Sequence, residues 1–185
     1  MSTVEVKELS APSGFDLKIA AGKTLDLNSQ GTVKMPAGSV LQTLSDTHGD
    51  FVNISYATSS YIEPHSGYRL VITPKKVGSK IRIEYYVNLC GDIDNDSHNY
   101  MNVQQKIVST QSGTSATLSE TGINTIDRGG QSRQRHTVMM AVLTTTSLDP
   151  ITFSYQMRVT ASPANRNALF SYGADSYMIA TEIAQ

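Results

Sequence analysis

The sequence predicts an all-β protein, and three observations lead to that prediction. Residues 81–89 alternate between apolar and largely polar side chains, and residues 151–161 do the same over a longer stretch. A period of two places one apolar face of each strand against a core. No segment repeats its apolar residues every 3.6 positions, and polar stretches with Gly, Pro or Asp separate the strands. This pattern predicts an antiparallel β-sandwich of jelly-roll type.

The N-terminal part predicts an anchor segment, residues 1–13, followed by a β-stem, residues 14–38. In the stem, short apolar and polar alternations are separated by glycines, and each piece is too short to bury its apolar side within one chain. Three intertwined chains would bury these side chains against each other. The alternative is a β-meander that lies on the sheet of its own chain. The predicted core of the trimeric stem consists of Phe15, Leu17, Ile19, Leu25, Leu27, Val33 and Met35.

Residues 39–185 predict the β-sandwich head domain. Strands are expected where apolar residues alternate or run together, with long polar loops between them. The loops are predicted at 57–67, 91–98, 109–135 and 162–175. The predicted strands are 40–44, 51–56, a pair within 68–90, 99–108, 136–146, 151–161 and 176–184.

Two of these loops carry clustered charges. The 91–98 loop contains Asp92, Asp94, Asp96 and His98, and several carboxylates in one turn can bind a hard cation. However, other residues occupy the positions of the turn Gly and the bidentate Glu of an EF-hand, so a solvated turn is favoured over a Ca²⁺ or Mg²⁺ site. The sequence therefore predicts no metal site here, and the loop is retained as a candidate receptor contact.

The second charged loop is basic. Arg128, Arg133 and Arg135 lie in a glycine-containing segment whose guanidinium groups suit an anionic partner, such as a cell-surface glycan. Tyr172, in the 162–175 loop, suits stacking on sugar rings or a subunit interface. For the basic segment, an exposed loop that leads into the next strand is the favoured interpretation.

Composition and motifs exclude several functions. The formal net charge is −1, so the composition lacks the excess of basic residues that is typical of nucleic-acid binding. No apolar run approaches the length of a membrane span. The sequence has no nucleophile elbow, phosphate-binding loop or dinucleotide fingerprint, and no histidine pair has metal-ligand spacing. We therefore expect no catalytic residue, no cofactor and no enzyme activity.

Several short motifs resemble a family of virion structural proteins from tailed bacteriophages, including phages of marine bacteria. They are SVLQT at 39–43, LVITPKKVGSKIRI at 70–83, TFSYQMRVTAS at 152–162 and SYMIATEIA at 176–184. The segment GKTLDLNSQGTVKMPAG at 22–38 also resembles the stem that precedes this domain in such proteins. These proteins are of the tail-fibre or host-recognition type.

The resemblance implies a homotrimeric virion component, made in the host cytoplasm and placed on the particle surface. Its expected role is a short fibre or spike that contacts a host cell-surface glycan or protein, while residues 1–13 bind another virion protein. Two alternatives stay open. One is a trimeric capsid decoration protein or head fibre, and the other is a soluble carbohydrate-binding or glycan-active module.

Overall fold

The computed structural model describes residues 21, 35–49, 52–54, 60–65, 68–91, 99–127, 134–161, 168–170 and 175–185. The chain divides into two units, Met1–Lys34 and Met35–Gln185, and all described strands belong to the second. The anchor segment and nearly all of the stem lie outside the described residues. Of the predicted stem core, only Met35 is described, and its side chain is 41% exposed on its own chain. Trimeric burial of the stem therefore stays a prediction.

The described elements are ten β-strands, and no helix occurs among the described residues. Accordingly, no described segment forms a helix that is long and apolar enough to cross a membrane. The strands are β1 Val40–His48, β2 Val52–Ile54, β3 Arg69–Ile72, β4 Lys80–Gly91, β5 Asn99–Gln111, β6 Thr114–Asp127, β7 Gln134–Thr144, β8 Ile151–Ala161, β9 Ala168–Phe170 and β10 Ser176–Ile183.

These strands form two antiparallel sheets. The six-stranded sheet has the order β1-β10-β4-β9-β2, with β7 paired to β4, and the four-stranded sheet has the order β3-β8-β5-β6. Leaving aside the three-residue strands β2 and β9, the sheets read β1-β10-β4-β7 and β3-β8-β5-β6. This is the arrangement of a jelly roll, in which the chain passes repeatedly between two facing sheets. The predicted all-β sandwich is confirmed.

The core lies between the sheets and is built from the alternating strands that the sequence singled out. Every second side chain of β4 from Ile81 to Leu89, and of β8 from Ile151 to Val159, is at most 2% exposed. Complete burial of such a side chain contributes about 1.5–3 kcal/mol. The period-two pattern therefore identified both central strands and the faces that they bury.

Three buried tyrosines form an aromatic cluster in the core. The rings of Tyr68 and Tyr85 lie 5.4 Å apart, and Tyr155 lies 5.9 Å from each of them. Burial raises the pKa of Tyr85 and Tyr155 well above the ordinary value. The Tyr155 hydroxyl donates a hydrogen bond to Gln105 Oε1 at 2.6 Å. Because Tyr85 comes from one sheet and Tyr155 from the other, the cluster helps to join the two sheets.

Two predicted loops contain strands. The expected loop 162–175 includes the three-residue strand β9. The expected loop 109–135 instead contains the end of β5, all of β6 and the start of β7. A two-residue turn at Ser112 and Gly113 joins β5 to β6, and both residues have positive φ, 49° and 82°. That geometry is a type I′ turn, which matches the twist of a hairpin. The strand escaped prediction because its side chains from Thr114 to Gly122 are mostly polar and exposed, so it shows no apolar face.

The two strands within residues 68–90 lie in different sheets. β3 belongs to the four-stranded sheet and β4 to the six-stranded sheet, so the connection 73–79 carries the chain from one layer to the other. The connection between β7 and β8 crosses in the same way. Sequence periodicity reports the faces of a strand but not its neighbours, and the short spacing of β3 and β4 therefore gave no sign of the crossing.

A buried carboxylate holds the 73–79 connection in place. Glu182 on β10 has no exposed surface, and its carboxylate accepts hydrogen bonds from Ser79 Oγ at 2.6 Å and from the Lys75 amide at 2.9 Å. Gln42 Nε2 on β1 donates a third at 2.6 Å, and the Lys76 amide a fourth at 3.2 Å. Burial alone would raise the pKa of Glu182, but these donors lower it below its ordinary value.

Thr145 secures the same connection from the end of β7. Its hydroxyl donates to the Lys76 carbonyl at 2.8 Å, and its amide donates to the Ser79 carbonyl at 2.9 Å. Its own carbonyl accepts from the Gly78 amide at 2.9 Å, where Gly78 has φ of 83°. Backbone polar groups that are shielded from water need such partners. We call this set, Glu182 with Gln42, Lys75, Lys76, Ser79 and Thr145, the carboxylate cradle.

Replacing Glu182 by Gln tests the cradle. The Gln side chain in Glu182→Gln has nearly the same shape as Glu but no charge. Its N–H₂ group is a donor and would face the hydrogen-bond donors of the carboxylate cradle. We expect the free energy of unfolding at pH 7 to fall by about 1–3 kcal/mol, measured by urea titration. The control is Asp46→Asn, an exposed carboxylate on β1, where we expect a change below about 0.5 kcal/mol.

The pH dependence of this effect has a definite sign. Because the pKa of Glu182 is lower in the native state than in the unfolded state, its contribution is fully present above the unfolded pKa. The contribution is lost as the pH falls through the native pKa. The stability difference between wild type and Glu182→Gln should therefore shrink in that acidic range, and a constant difference would contradict the assignment.

Candidate binding groove on the four-stranded sheet

The outward face of the four-stranded sheet carries a groove of about 770 Å³. Its floor comes from alternate positions of neighbouring strands, because side chains opposite the core-facing residues point outward. The strand register places Thr110 beside Thr152, Val108 beside Ser154, and Lys106 beside Gln156. The lining residues are Ile62, Glu63, Arg69, Lys106, Val108, Thr110, Ser115, Ala116, Thr117, Thr152, Ser154 and Gln156.

The groove is lined mainly by neutral polar groups. Five hydroxyl side chains and the amide of Gln156 share it with a small apolar surface from Ile62, Val108 and Ala116. Each hydroxyl can both donate and accept a hydrogen bond. Because most of these residues lie on hydrogen-bonded strands, their positions are fixed before any ligand arrives. A volume of this size falls within the range of about 300–1,000 Å³ that is usual for small-molecule sites.

An ion pair closes one side of the groove. Two nitrogen atoms of Arg69, on β3, contact the carboxylate of Glu63. Arg69 Nη2 lies 2.5 Å and Arg69 Nε 3.0 Å from Glu63 Oε2. The carboxylate of Glu63 raises the pKa of Arg69 above its ordinary value. Glu63 precedes β3, next to the bridge that Ile62 makes with Met157 on β8. The two opposite charges offset each other at this edge.

Tyr61 lies beside the groove over two cations. Lys106 Nζ is 4.3 Å and the Arg158 guanidinium 4.6 Å from the centre of the Tyr61 ring, within the range of cation–π attraction. The Tyr61 hydroxyl donates to Glu120 Oε1 at 2.6 Å. Burial, together with the hydrogen bond and negative charge of Glu120, raises the pKa of Tyr61 to about 12. These contacts hold the Lys106 ammonium at the end of the groove.

A second surface stands out on the other sheet. Val138, Met140 and Val142 alternate with core-facing residues on β7, and their side chains are 52%, 52% and 57% exposed. We call these three residues the β7 stripe. Beside Val138, the rings of Tyr86 and Tyr177 stack at 4.3 Å. The stripe and the stacked rings form an apolar and aromatic surface that faces away from the core.

The strand that carries the stripe is also an edge strand. β7 pairs with β4 on one side, and no described strand pairs with its other side. Natural proteins protect such edges with Pro or with charged residues, especially Lys. Between His136 and Thr144, β7 contains no Lys, Arg, Asp, Glu or Pro. This edge therefore lacks the usual protection against association.

The structure leaves most of the predicted contact residues undescribed. Arg135 lies on β7 opposite Leu89, but nothing is described of its side chain. No group of three or more potential metal ligands occurs among the described residues. The contact role of the predicted loops therefore stays a prediction. The remaining candidates lie outside the described residues, namely Asp92, Asp94, Asp96, His98, Arg128, Arg133 and Tyr172.

Comparison with known proteins gives only distant similarity. No protein-family model matches the chain, and no curated protein matches it significantly. Among solved structures, the chain is similar to the structure of infectious bursal disease virus, Gx strain. The TM-score is 0.41 and the sequence identity 10%, and the match covers 88% of this chain and 36% of the other. For the VP2 subviral particle of that virus the TM-score is 0.41 at 9% identity, over 88% and 42% of the two chains.

The structure of the Gt strain of the same virus gives a TM-score of 0.37 at 12% identity, over 88% of this chain and 42% of the other. This chain thus spans less than half the length of the proteins that it resembles. At these TM-scores and identities, the similarity assigns neither a family nor a function to the chain.

The raised pKa of Tyr61 can be checked by titration. We expect Tyr61 to remain protonated until about pH 12, so Tyr61→Phe should not change the phenolate absorbance at 295 nm below about pH 11. Glu120→Gln removes the negative charge that raises this pKa, so the Tyr61 phenolate should form at lower pH. Circular dichroism must show that each variant stays folded. Absorbance lost in Tyr61→Phe near pH 10 would contradict the described contact.

Proposed function

We propose that the protein is a non-enzymatic, homotrimeric structural component of a virus particle, forming a short fibre or spike that contacts the host surface. The observation that supports association is the β7 stripe on its unprotected edge strand. Exposed apolar surface next to unpaired backbone groups favours contact with another chain. The sequence motifs that resemble virion proteins of tailed phages support the particle location.

The energetics of the stripe favour association. Full burial of a large apolar side chain contributes about 1.5–3 kcal/mol, so covering these half-exposed groups contributes on the order of 1 kcal/mol each. β7 carries no Lys, Arg, Asp or Glu between His136 and Thr144, and the charges beside it on β4, Arg82 and Glu84, form an ion pair with each other. Threefold symmetry closes the assembly when the stripe of each chain contacts a second, different surface of the next chain. Apolar residues in the predicted stem would add to this association.

The jelly-roll scaffold is compatible with this role, since the fold occurs in viral capsid and lectin domains. Fold alone does not determine function, so the proposal rests on the exposed surfaces. Within it, residues 1–13 bind another virion protein and the head contacts the host. The chain would be made in the host cytoplasm and reside on the particle surface.

Light scattering on the full-length chain tests the oligomeric state. We expect a molar mass of about 60 kDa, three times the 20.1 kDa of one chain. Val138→Lys and Met140→Lys place a charge in the stripe, and we expect them to shift the mass toward that of the monomer. The matched control is Val71→Lys on β3, because Val71 is also 52% exposed on a strand but belongs to the other sheet.

A wild-type mass of about 20 kDa would overturn the trimer. A trimer that survives Val138→Lys and Met140→Lys would show that the β7 stripe is not the interface. Circular dichroism on each variant separates loss of association from loss of folding.

A further inference from the structure

We propose that the groove on the four-stranded sheet binds an oligosaccharide that carries carboxylate groups, with Lys106 as the residue that contacts the carboxylate. This inference rests on the proposed function, because it supplies the chemistry by which the head would contact a host surface. It places the contact on the rigid strands β5, β6 and β8 rather than on the long loops.

The hydroxyl groups of the groove match a sugar. A polyhydroxylated ligand offers groups that each donate and accept hydrogen bonds, and the side chains of Thr110, Ser115, Thr117, Thr152 and Ser154 offer the same combination in return. Gln156 adds an amide that can donate and accept with separate atoms. Thr110 Oγ1 and Ser115 Oγ lie within hydrogen-bond distance of each other, at 2.8 Å. A purely apolar ligand would cover the other hydroxyl groups without offering them partners, which costs free energy.

The apolar part of the groove matches the other property of a sugar ring. Val108 and Ile62 contribute aliphatic surface among the hydroxyl side chains, and Val108 lies between Ser154 and Thr117 in the strand register. The C–H face of a pyranose can pack against such a surface while its hydroxyl groups reach the neighbouring side chains. The mixture of both kinds of surface favours a carbohydrate over a simple anion.

Charge determines which carbohydrate is preferred. Arg69 is paired with Glu63, whereas Lys106 forms no ion pair within 4 Å among the described residues. The carboxylate on the neighbouring strand opposite Lys106, that of Glu120, accepts the hydrogen bond of Tyr61 instead. The cation–π contact with Tyr61 holds the Lys106 ammonium at the end of the groove. A ligand carboxylate at this position would form a charge-assisted hydrogen bond. A single lysine presents one positive charge, which matches the single negative charge of a sugar carboxylate better than the nearly double charge of a phosphate monoester.

Calorimetric titration with two defined hexasaccharides tests the proposal. The probes are an oligogalacturonate hexamer, which carries carboxylates, and maltohexaose, which is neutral and of equal length. We expect the full-length protein to bind the acidic hexamer more tightly. A dissociation constant in the millimolar range suffices, because several copies on one particle raise the effective concentration.

Two groove variants separate charge from shape. Lys106→Met should weaken binding of the acidic hexamer about tenfold or more, with an effect below about threefold on maltohexaose. Thr152→Val removes a hydroxyl at constant shape and should weaken both ligands by a similar factor. Lys80→Met is the matched control, because Lys80 is an exposed lysine on a strand of the other sheet.

The outcomes are distinct. If the wild-type protein binds neither hexamer at 10 mM, a concentration about tenfold above the weakest useful affinity, the proposal is overturned. Equal losses in Lys106→Met and Lys80→Met would overturn the role of Lys106. Val138→Lys should leave the affinity per chain unchanged, because the stripe and the groove lie on different sheets. Sugar binding by a monomeric wild type would therefore reject the proposed trimer while the groove assignment stands, and a trimer that binds no sugar would reject the groove alone.

Discussion

The carboxylate of Glu182 is the interaction on which the rest of the sandwich depends. Glu182 belongs to β10 and has no exposed surface, and its carboxylate accepts hydrogen bonds from β1 and from the connection 73–79. An ionised group is stable in such a place only if hydrogen bonds replace the lost water. These hydrogen bonds favour the ionised carboxylate, and they lower the pKa of Glu182. The crossing of the chain between layers is thereby fixed at one point.

Fixing that crossing also fixes the position of both outer surfaces. The connection 73–79 joins β3, whose Arg69 lines the groove, to β4, whose outward side chains adjoin the β7 stripe. Thr145 binds the same connection at the end of β7 and leads toward β8, which supplies the groove floor. The cradle therefore determines how the two layers are aligned, and the aromatic cluster of Tyr68, Tyr85 and Tyr155 fills the space between them.

The sequence predicted the strands whose apolar residues alternate, and it missed a strand that lacks this pattern. β4 and β8 were identified with their buried faces, because the pattern from Ile81 to Leu89 and from Ile151 to Val159 alternates without interruption. β6 was missed, because a polar strand at a sheet edge has no apolar face to report. The S-G pair at 112–113 is a known turn signal and would have indicated the hairpin.

The groove itself was out of reach of the sequence. Its hydroxyl side chains come from β5, β6 and β8, and its ion pair comes from Glu63 and Arg69. In the sequence, Thr152, Ser154 and Gln156 form only the polar face of a strand, which describes any solvated sheet surface. Only the strand order β3-β8-β5-β6 brings these positions side by side. The sequence favoured the charged loops because their charges lie within a few residues of one another, whereas the residues of a site on a sheet are dispersed along the chain.

The two outer surfaces are chemically different, and their placement allows both to act together. The β7 stripe is apolar and uncharged, whereas the groove is polar and carries the ammonium group of Lys106. The outer faces of the two layers of a sandwich point in opposite directions. Association through the six-stranded sheet therefore leaves the groove of every chain directed away from the contact. Three grooves on one particle component would then bind neighbouring sugars of one surface, so that a weak single contact becomes firm attachment through effective concentration.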